Sequence, residues 1–281
     1  MIKKLKYIVD WILLTGSTVI VCLILGIILG DIFSKGASAI SWDFITGLPT
    51  DGMTKGGILP VVAGTLVLTL ITTLFSVPFG VACAIYLNEY AKPSVFTNII
   101  RASIRNLAGI PSIIYGLFGL ALFVQSLRLG TSVLSAGLTL GLLSLPYIIT
   151  TTEEALKRIP NSMREATLAL GATQFETIKD VVLPKALPGI LTGVILTMSR
   201  AAGETAPILF TGVAFYINGV GTSVNQEFMA LPYHLYMLST QHQAIEQVRP
   251  LAYATAGVLI LLVFLLNIIA FYIRYKYRTK D

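Results

Sequence analysis

Apolar residues fall along this chain in long blocks rather than in alternation. Six blocks, 12–33, 59–87, 106–127, 132–150, 190–217 and 250–273, run almost free of charge. A helix rises about 1.5 Å per residue, so about 20 apolar residues cross a bilayer core of about 30 Å. Each block is therefore predicted to be a transmembrane helix. Pro78 and Pro207 interrupt the second and fifth blocks and free backbone carbonyls that neighbouring helices must satisfy. The segments between blocks are short except for 151–189. The pattern predicts an all-α polytopic membrane protein with six transmembrane helices. Residues 1–281 form a single domain, with the N-terminal helix 12–33 peripheral to it.

Composition agrees. Of 281 residues, 55% are hydrophobic and only 12% charged, where a soluble domain carries about a quarter charged; the mean hydropathy is +0.80. These values exclude a disordered chain and a basic nucleic-acid-binding domain. With Cys22 and Cys83 as the only cysteines, both inside predicted spans, a disulfide scaffold is excluded too.

The net charge of +6 is explained by where the charges sit. With the N-terminus inside, the inner segments hold fifteen Lys and Arg: three before the first span, three after the second, five after the fourth and four after the sixth. The outer segments hold four, Lys35, Lys55, Arg128 and Arg249, and Arg200 lies within the fifth span. That asymmetry predicts cytoplasmic termini. The opening MIKKLKY and the later Ala37-Ser38-Ala39 superficially resemble a cleavable signal. An apolar run of about 22 residues exceeds a signal's core of about 7–15, so an uncleaved helix is expected.

The long inner loop 151–189 reads as two short helices. Asn161 or Ser162 is placed to cap the first, and Gly171 breaks it or admits another backbone. Thr173 and Glu176 have capping-box spacing for the second, which carries an apolar stripe of Phe175, Ile178, Val181 and Val182. Pro184 and Pro188 are expected to stop it before the membrane is re-entered. Such a loop either packs on its own bundle or docks to another subunit.

Glu165-Ala166-Thr167, Gly171, Val181 and Leu183-Pro184 resemble, at conserved spacing, the EAA loop of ABC-transporter permease subunits. That pattern reads Glu-Ala-Ala, Gly, Ile and Leu-Pro; Thr167 replaces the second alanine and Val181 the isoleucine. The resemblance implies the type I ABC importer permease fold. It also implies that Glu165, Ala166, Gly171, Val181, Leu183 and Pro184 couple to a separate ATPase. No G-x-x-x-x-G-K-[ST] phosphate loop occurs in the chain, so ATP and Mg are expected on that partner, and no cofactor on this chain.

Arg200 and Glu204 lie within the fifth block, and either charge alone costs at least about 2.5–3.5 kcal/mol to insert. At i, i+4 they can neutralise each other. Helical spacing puts Gly193, Thr197, Arg200, Gly203, Glu204, Pro207 and Thr211 on one side, with Arg200 near the bilayer midplane. Two readings stand: an ion pair that fixes helix packing, or a water-accessible path in which Arg200 senses an anion. Arginine suits a tetrahedral oxyanion because its planar fork donates two hydrogen bonds and keeps its charge.

The run from Ser199, SRAAGETAPILFTGVAF, is similar to PstA-type permeases of phosphate (Pst) ABC importers. So are NLAGIPSIIYGLFGLALF from Asn106 and IYLNEYA from Ile85. This resemblance covers nearly the whole chain beyond residue 59. It implies a heterodimer with a PstC-type permease, two ATP-binding subunits and an extracytoplasmic phosphate-binding protein, in a prokaryotic cell membrane. Arg200, Glu204, Gly203, Thr197 and Thr211 then line the translocation path. An ABC permease for another oxyanion or small solute is the alternative.

Other chemistry is sparse. His234 and His242, the only histidines, share the outer loop 218–249 with no carboxylate or cysteine at ligand spacing, so no metal site is expected. No histidine or aspartate lies near a span's centre, which argues against an intramembrane protease. Neither repeated halves nor a pair of broken helices is legible, which argues against a secondary transporter. Of the GxxxG spacings, Gly26/Gly30, Gly137/Gly141 and Gly189/Gly193, the last borders the polar face and is expected to allow close helix contact.

Overall fold

The computed structural model describes the backbone of residues 2–221 and 223–276, and side chains from Trp11 onward. Arg278 and Lys280, and the side chains of Lys3, Lys4 and Lys6, lie outside the described residues.

The first helix, α1 (Ile2–Gly36), leads to a short helix α2 (Trp42–Thr46) and an antiparallel pair, β1 (Pro49–Thr50) and β2 (Lys55–Gly56). Then comes α3 (Leu59–Ile85), with Pro60 in its first turn, where an amide hydrogen has no intrahelical partner to lose. It widens into a π turn at Tyr86–Tyr90. Next follow α4 (Val95–Leu107) and α5 (Ser112–Gly119), the latter extended by π-helical residues Leu120–Ser126. The helix α6 (Val133–Lys157) starts at Ser132, whose Oγ accepts from Ser135 N. The loop helices are α7 (Asn161–Ala169) and α8 (Gln174–Glu176), followed by π-helical residues Thr177–Val182. Last come α9 (Leu183–Gly203), α10 (Ala206–Leu209), α11 (Leu231–Thr240) and α12 (Ile245–Lys276).

The bundle is organised around α6. Of its most apolar window 67% is buried, against none of α1's. Helix α3 packs along one side of α6 and α9 along another, while α12 joins α9 to α1 and α11. Small residues set these distances. A β-carbon on Gly193 would collide with Thr151, one on Gly189 would lie 2.7 Å from the Ala155 β-carbon, and Gly137 and Gly141 likewise meet Ile71 and Phe75 of α3. Several buried hydroxyls are satisfied within their own helix: Thr65, Thr69 and Ser76 each donate to the carbonyl four residues back. At the end remote from most of the basic residues, Phe44, Met53, Leu231, Leu238 and Val248 close the core. At the basic end, Leu156, Val182, Ala186 and Ile190 do so.

The structure changes several expectations. Among the described residues five helices are long and apolar enough to span a membrane, and a sixth span is present as the bent pair α4 and α5, which meet at 102°. Pro111 biases Ile110 away from helical backbone, so the block expected at 106–127 is broken at its start. The fifth span is displaced. The helical run is continuous over Gln174–Gly203 and stops before Glu204, whose ψ of 133° is extended, so 190–217 is not one helix. Pro184 and Pro188 do not stop it: Pro184 sits in the first turn of α9, where a missing amide hydrogen is tolerated, and the helix runs on through Pro188 to Gly203. One broken span, α4–α5, is therefore present among the described residues, and α9 ends at Gly203 with only the short α10 beyond it. Finally, Pro160 rather than Asn161 or Ser162 occupies the cap of α7, and makes no side-chain cap.

Overpacking a close contact costs about 1–3 kcal/mol. Gly193→Val should lower the thermal midpoint of the purified protein, whereas Gly16→Val, in open space on α1, should leave it unchanged. Equal midpoints for the two variants would remove the α6–α9 contact from the account.

Candidate functional site

Two charged constellations stand out, one under the inner loop and one at the break after α9. The first is built by Arg164 on α7 and Glu89 in the π turn after α3. Arg164 Nε donates to Glu89 Oε2 at 3.0 Å and Nη2 to Oε1 at 2.7 Å. Its remaining hydrogens reach the Ile159 carbonyl at 2.7 Å and the Leu156 carbonyl at 3.1 Å. Asn88 Nδ2 donates to Glu89 Oε1 and Gln174 Nε2 to the Glu89 carbonyl. The two charged side chains are only 16% and 7% exposed. A bidentate, largely desolvated pair of this kind fixes geometry as well as charge. It fastens the ends of α3 and α6 to the loop helices α7 and α8.

A second pair sits nearby. Arg101 Nε lies 3.1 Å from Glu153 Oε1 but off the line of a hydrogen bond, so the contact is ionic; Lys157 Nζ flanks the same carboxylate at 3.7 Å. The sequence reading missed both. Arg164 has no acid three or four residues away, and that deficit is the signal that its partner comes from another segment.

Outward from this node the loop presents apolar surface. Leu168, Leu170 and Phe175 are exposed, Leu170 to 89% and Phe175 to 65%. Glu165 and Ala166 are exposed beside them, as is Pro184; Val181 and Leu183 are half-buried. Gly171 ends α7 with φ +90°, a backbone region that penalises any β-carbon. The next helix opens on a complete capping box: the Thr173 hydroxyl accepts from Glu176 N while Glu176 Oε2 accepts from Thr173 N at 2.7 Å.

The second constellation surrounds Arg200, in the last turn of α9. Arg200 Nε donates to Glu204 Oε1 at 3.1 Å, and its guanidinium stacks over the Tyr147 ring at 4.5 Å. Tyr147 in turn donates its hydroxyl to the Ala108 carbonyl at 2.9 Å, in the break between α4 and α5. Arg200 thus connects the end of α9 to the broken span α4–α5. It lies level with Tyr147, between the apolar part of α6 and its charged end. The Arg200 side chain remains 48% exposed and that of Glu204 16%. The pair neither seals itself off nor stands alone, and the guanidinium keeps donors free.

The other residues expected beside Arg200 divide. Gly203 is exposed next to it. Thr197 is buried against α6 and donates to the Gly193 carbonyl. Thr211 is fully buried, its hydroxyl on the Pro207 carbonyl, and its own carbonyl accepts from Ser132 N near the start of α6. Because α9 stops at Gly203, helical spacing cannot carry Thr211 onto the Arg200 face. The exposed stripe runs instead through Leu196, Arg200 and Gly203.

The histidines are structural. Burial, with a smaller contribution from His242, pushes the His234 pKa down to about 4. His242 Nδ1 accepts from Ala244 N, so its Nε2 carries the proton donated to the Gly52 carbonyl at 2.9 Å. Among the described residues no group of three or more His, Cys, Asp or Glu could hold a metal ion.

A family model described as binding-protein-dependent transport system inner membrane component matches residues 76–279. The chain belongs to this family of ABC transporter permeases. The permease is 36% identical over 203 residues to the probable ABC transporter permease protein YqgI of Bacillus subtilis, covering 71% of this chain and 69% of YqgI. It is 35% identical over 241 residues to the phosphate transport system permease protein PstA of Haemophilus influenzae, covering 86% and 84%. Its fold matches a chain of the bacterial alginate ABC transporter bound to a pentasaccharide-loaded periplasmic protein, with a TM-score of 0.69 at 14% identity over 97% of each chain. It also matches a chain of the inward-facing methionine transporter MetNI, with a TM-score of 0.62 at 19% identity over 79% of this chain and 96% of that one. The permease is thus a membrane-embedded transport subunit with the type I importer fold.

Removing one partner of a buried ion pair costs about 3–5 kcal/mol, because the other charge stays behind. Arg164→Met and Glu89→Leu should each markedly lower the thermal midpoint of the purified permease, and the double substitution should recover most of the loss. Additive losses in the double variant would contradict a coupled pair.

Proposed function

We propose that the permease carries inorganic phosphate inward as the PstA-like half of an ATP-driven importer, with its basic end and both termini in the cytoplasm of a prokaryotic cell. The observation that carries the solute assignment is Arg200: a half-exposed arginine at the break of a span, held by Glu204 and Tyr147 with donors to spare. Its fixed charge and planar fork match a tetrahedral oxyanion. Support for phosphate over other oxyanions comes from relatives named as phosphate permeases, 33–35% identical over most of their length.

In this reading the permease binds no nucleotide. Two partner ATPases hold ATP and Mg, and each permease of a heterodimer with a PstC-like subunit receives one ATPase on its loop. Here that loop offers Glu165, Ala166, Leu170 and Phe175 to the ATPase cleft, while the Glu89–Arg164 node ties it to α3 and α6. ATP binding draws the ATPases together, and the loop passes the displacement to the span that ends at Arg200. An extracytoplasmic binding protein delivers phosphate at the far end. Glu204 competes for the Arg200 donors, which keeps binding weak enough for release.

Arg200→Gln should abolish phosphate uptake in cells lacking other phosphate importers, while the complex still co-purifies with its ATPase. Normal uptake in that variant would return Arg200 to a packing role.

A further inference from the structure

The exposed face of α9 does not end at Arg200. One and two turns back it passes Leu196 and Thr192, and it then opens at the basic end into a cavity of about 430 Å³ between α6, α9 and α12. Three cations from three elements line that cavity: Arg158 at the cap of α6, Lys185 in the first turn of α9 and Arg274 near the end of α12. Glu154 is the only carboxylate among the described residues that line it. Among the described residues none of the three cations forms an ion pair. Lys185 Nζ meets only the weak acceptor Met163 Sδ at 3.3 Å, and the Arg274 guanidinium lies 5.6 Å above the Phe271 ring. Both threonine hydroxyls on the wall are already used, Thr151 on the Tyr147 carbonyl and Thr192 on the Pro188 carbonyl.

We propose that this cavity is an anion vestibule at the inner mouth of the path, binding the phosphoryl oxyanion loosely through its three cations. The inference rests on reading Arg200 as part of an anion path. Membrane topology places cations at the inner ends of spans, but it does not gather three around one concavity on the face that carries Arg200. A cleft lined by one sign of charge concentrates the opposite ion. With no neutral donor aimed inward, only the three cations hold the ion, and pairing with charges in a cleft open to water stays weak enough for exit. The ligand is a phosphate group, supplied either by the free ion leaving the path or by the headgroup of an acidic lipid.

The test uses the complete transporter in phosphatidylcholine nanodiscs, with Arg200→Gln in place so that the upper site is silent. Inorganic phosphate should still bind, and adding R158Q, K185Q and R274Q should weaken that binding at least about tenfold, or about 1.4 kcal/mol. The charge-preserving set R158K, K185R and R274K should bind as the parent does. K185Q alone, on an exposed side chain, provides a weakened variant should the triple fail to assemble. In discs doped with phosphatidylglycerol, retention of that lipid by the parent and its loss from the triple variant identify the headgroup as the ligand; phosphate binding in neutral discs identifies the free ion. Binding of both probes that ignores the three cations, or binding of neither, overturns the vestibule. Uptake is scored separately with Arg200 intact, so a transporter that binds phosphate here yet imports none would sink the functional reading and leave the vestibule standing.

Discussion

A guanidinium and a carboxylate buried together at the basic end are the constraint on which the rest of the structure depends. Neither Arg164 nor Glu89 can be left alone in so dry a place, so the loop that carries one and the helix end that carries the other must stay together. Their hydrogen bonds extend to the Leu156 and Ile159 carbonyls and, through Gln174, to α8. The loop is therefore a seated part of the bundle, with its apolar residues Leu170 and Phe175 turned outward. A surface that projects greasy side chains from a rigid seat suits a subunit that must pass on force.

From that seat the helical run is unbroken to Gly203. It is clamped to α6 by Gly189 and Gly193, tied to α12 through Ser199 and Asn267, and released at Glu204. In the proposed cycle the continuous part transmits and the break admits change. Arg200 sits where the two meet, stacked on Tyr147, whose hydroxyl holds the α4–α5 break. A shift of α9 against α6 thus acts on the guanidinium and on the α4–α5 break together.

Much of this was legible in the residues. The blocks of apolar residues and the skew of Lys and Arg describe a helical bundle with one basic end. The spacing of Glu165, Gly171 and Leu183-Pro184 marks the loop, and the capping box at Thr173 is a local rule obeyed locally. What escaped was set by tertiary context. Pro184 and Pro188 read as stops because proline lacks a donor, yet Pro184 falls in the first turn of α9 and the helix, packed on α6 and α12, runs on through Pro188. Helical spacing was carried past Gly203 to Thr211, although glycine and an extended Glu204 end the helix there. The Glu89–Arg164 pair joins positions far apart in the chain, which periodicity does not register.

The central claim is that the loop and the span ending at Arg200 move as one body. Spin labels at Ser162→Cys and Leu196→Cys, both exposed, report on it directly in the reconstituted transporter. The account predicts that their separation stays constant between nucleotide-free and ATP-bound states, while the distance from Leu196→Cys to a label on the partner permease changes. A Ser162–Leu196 separation that changes as much as the distance between permeases would contradict it.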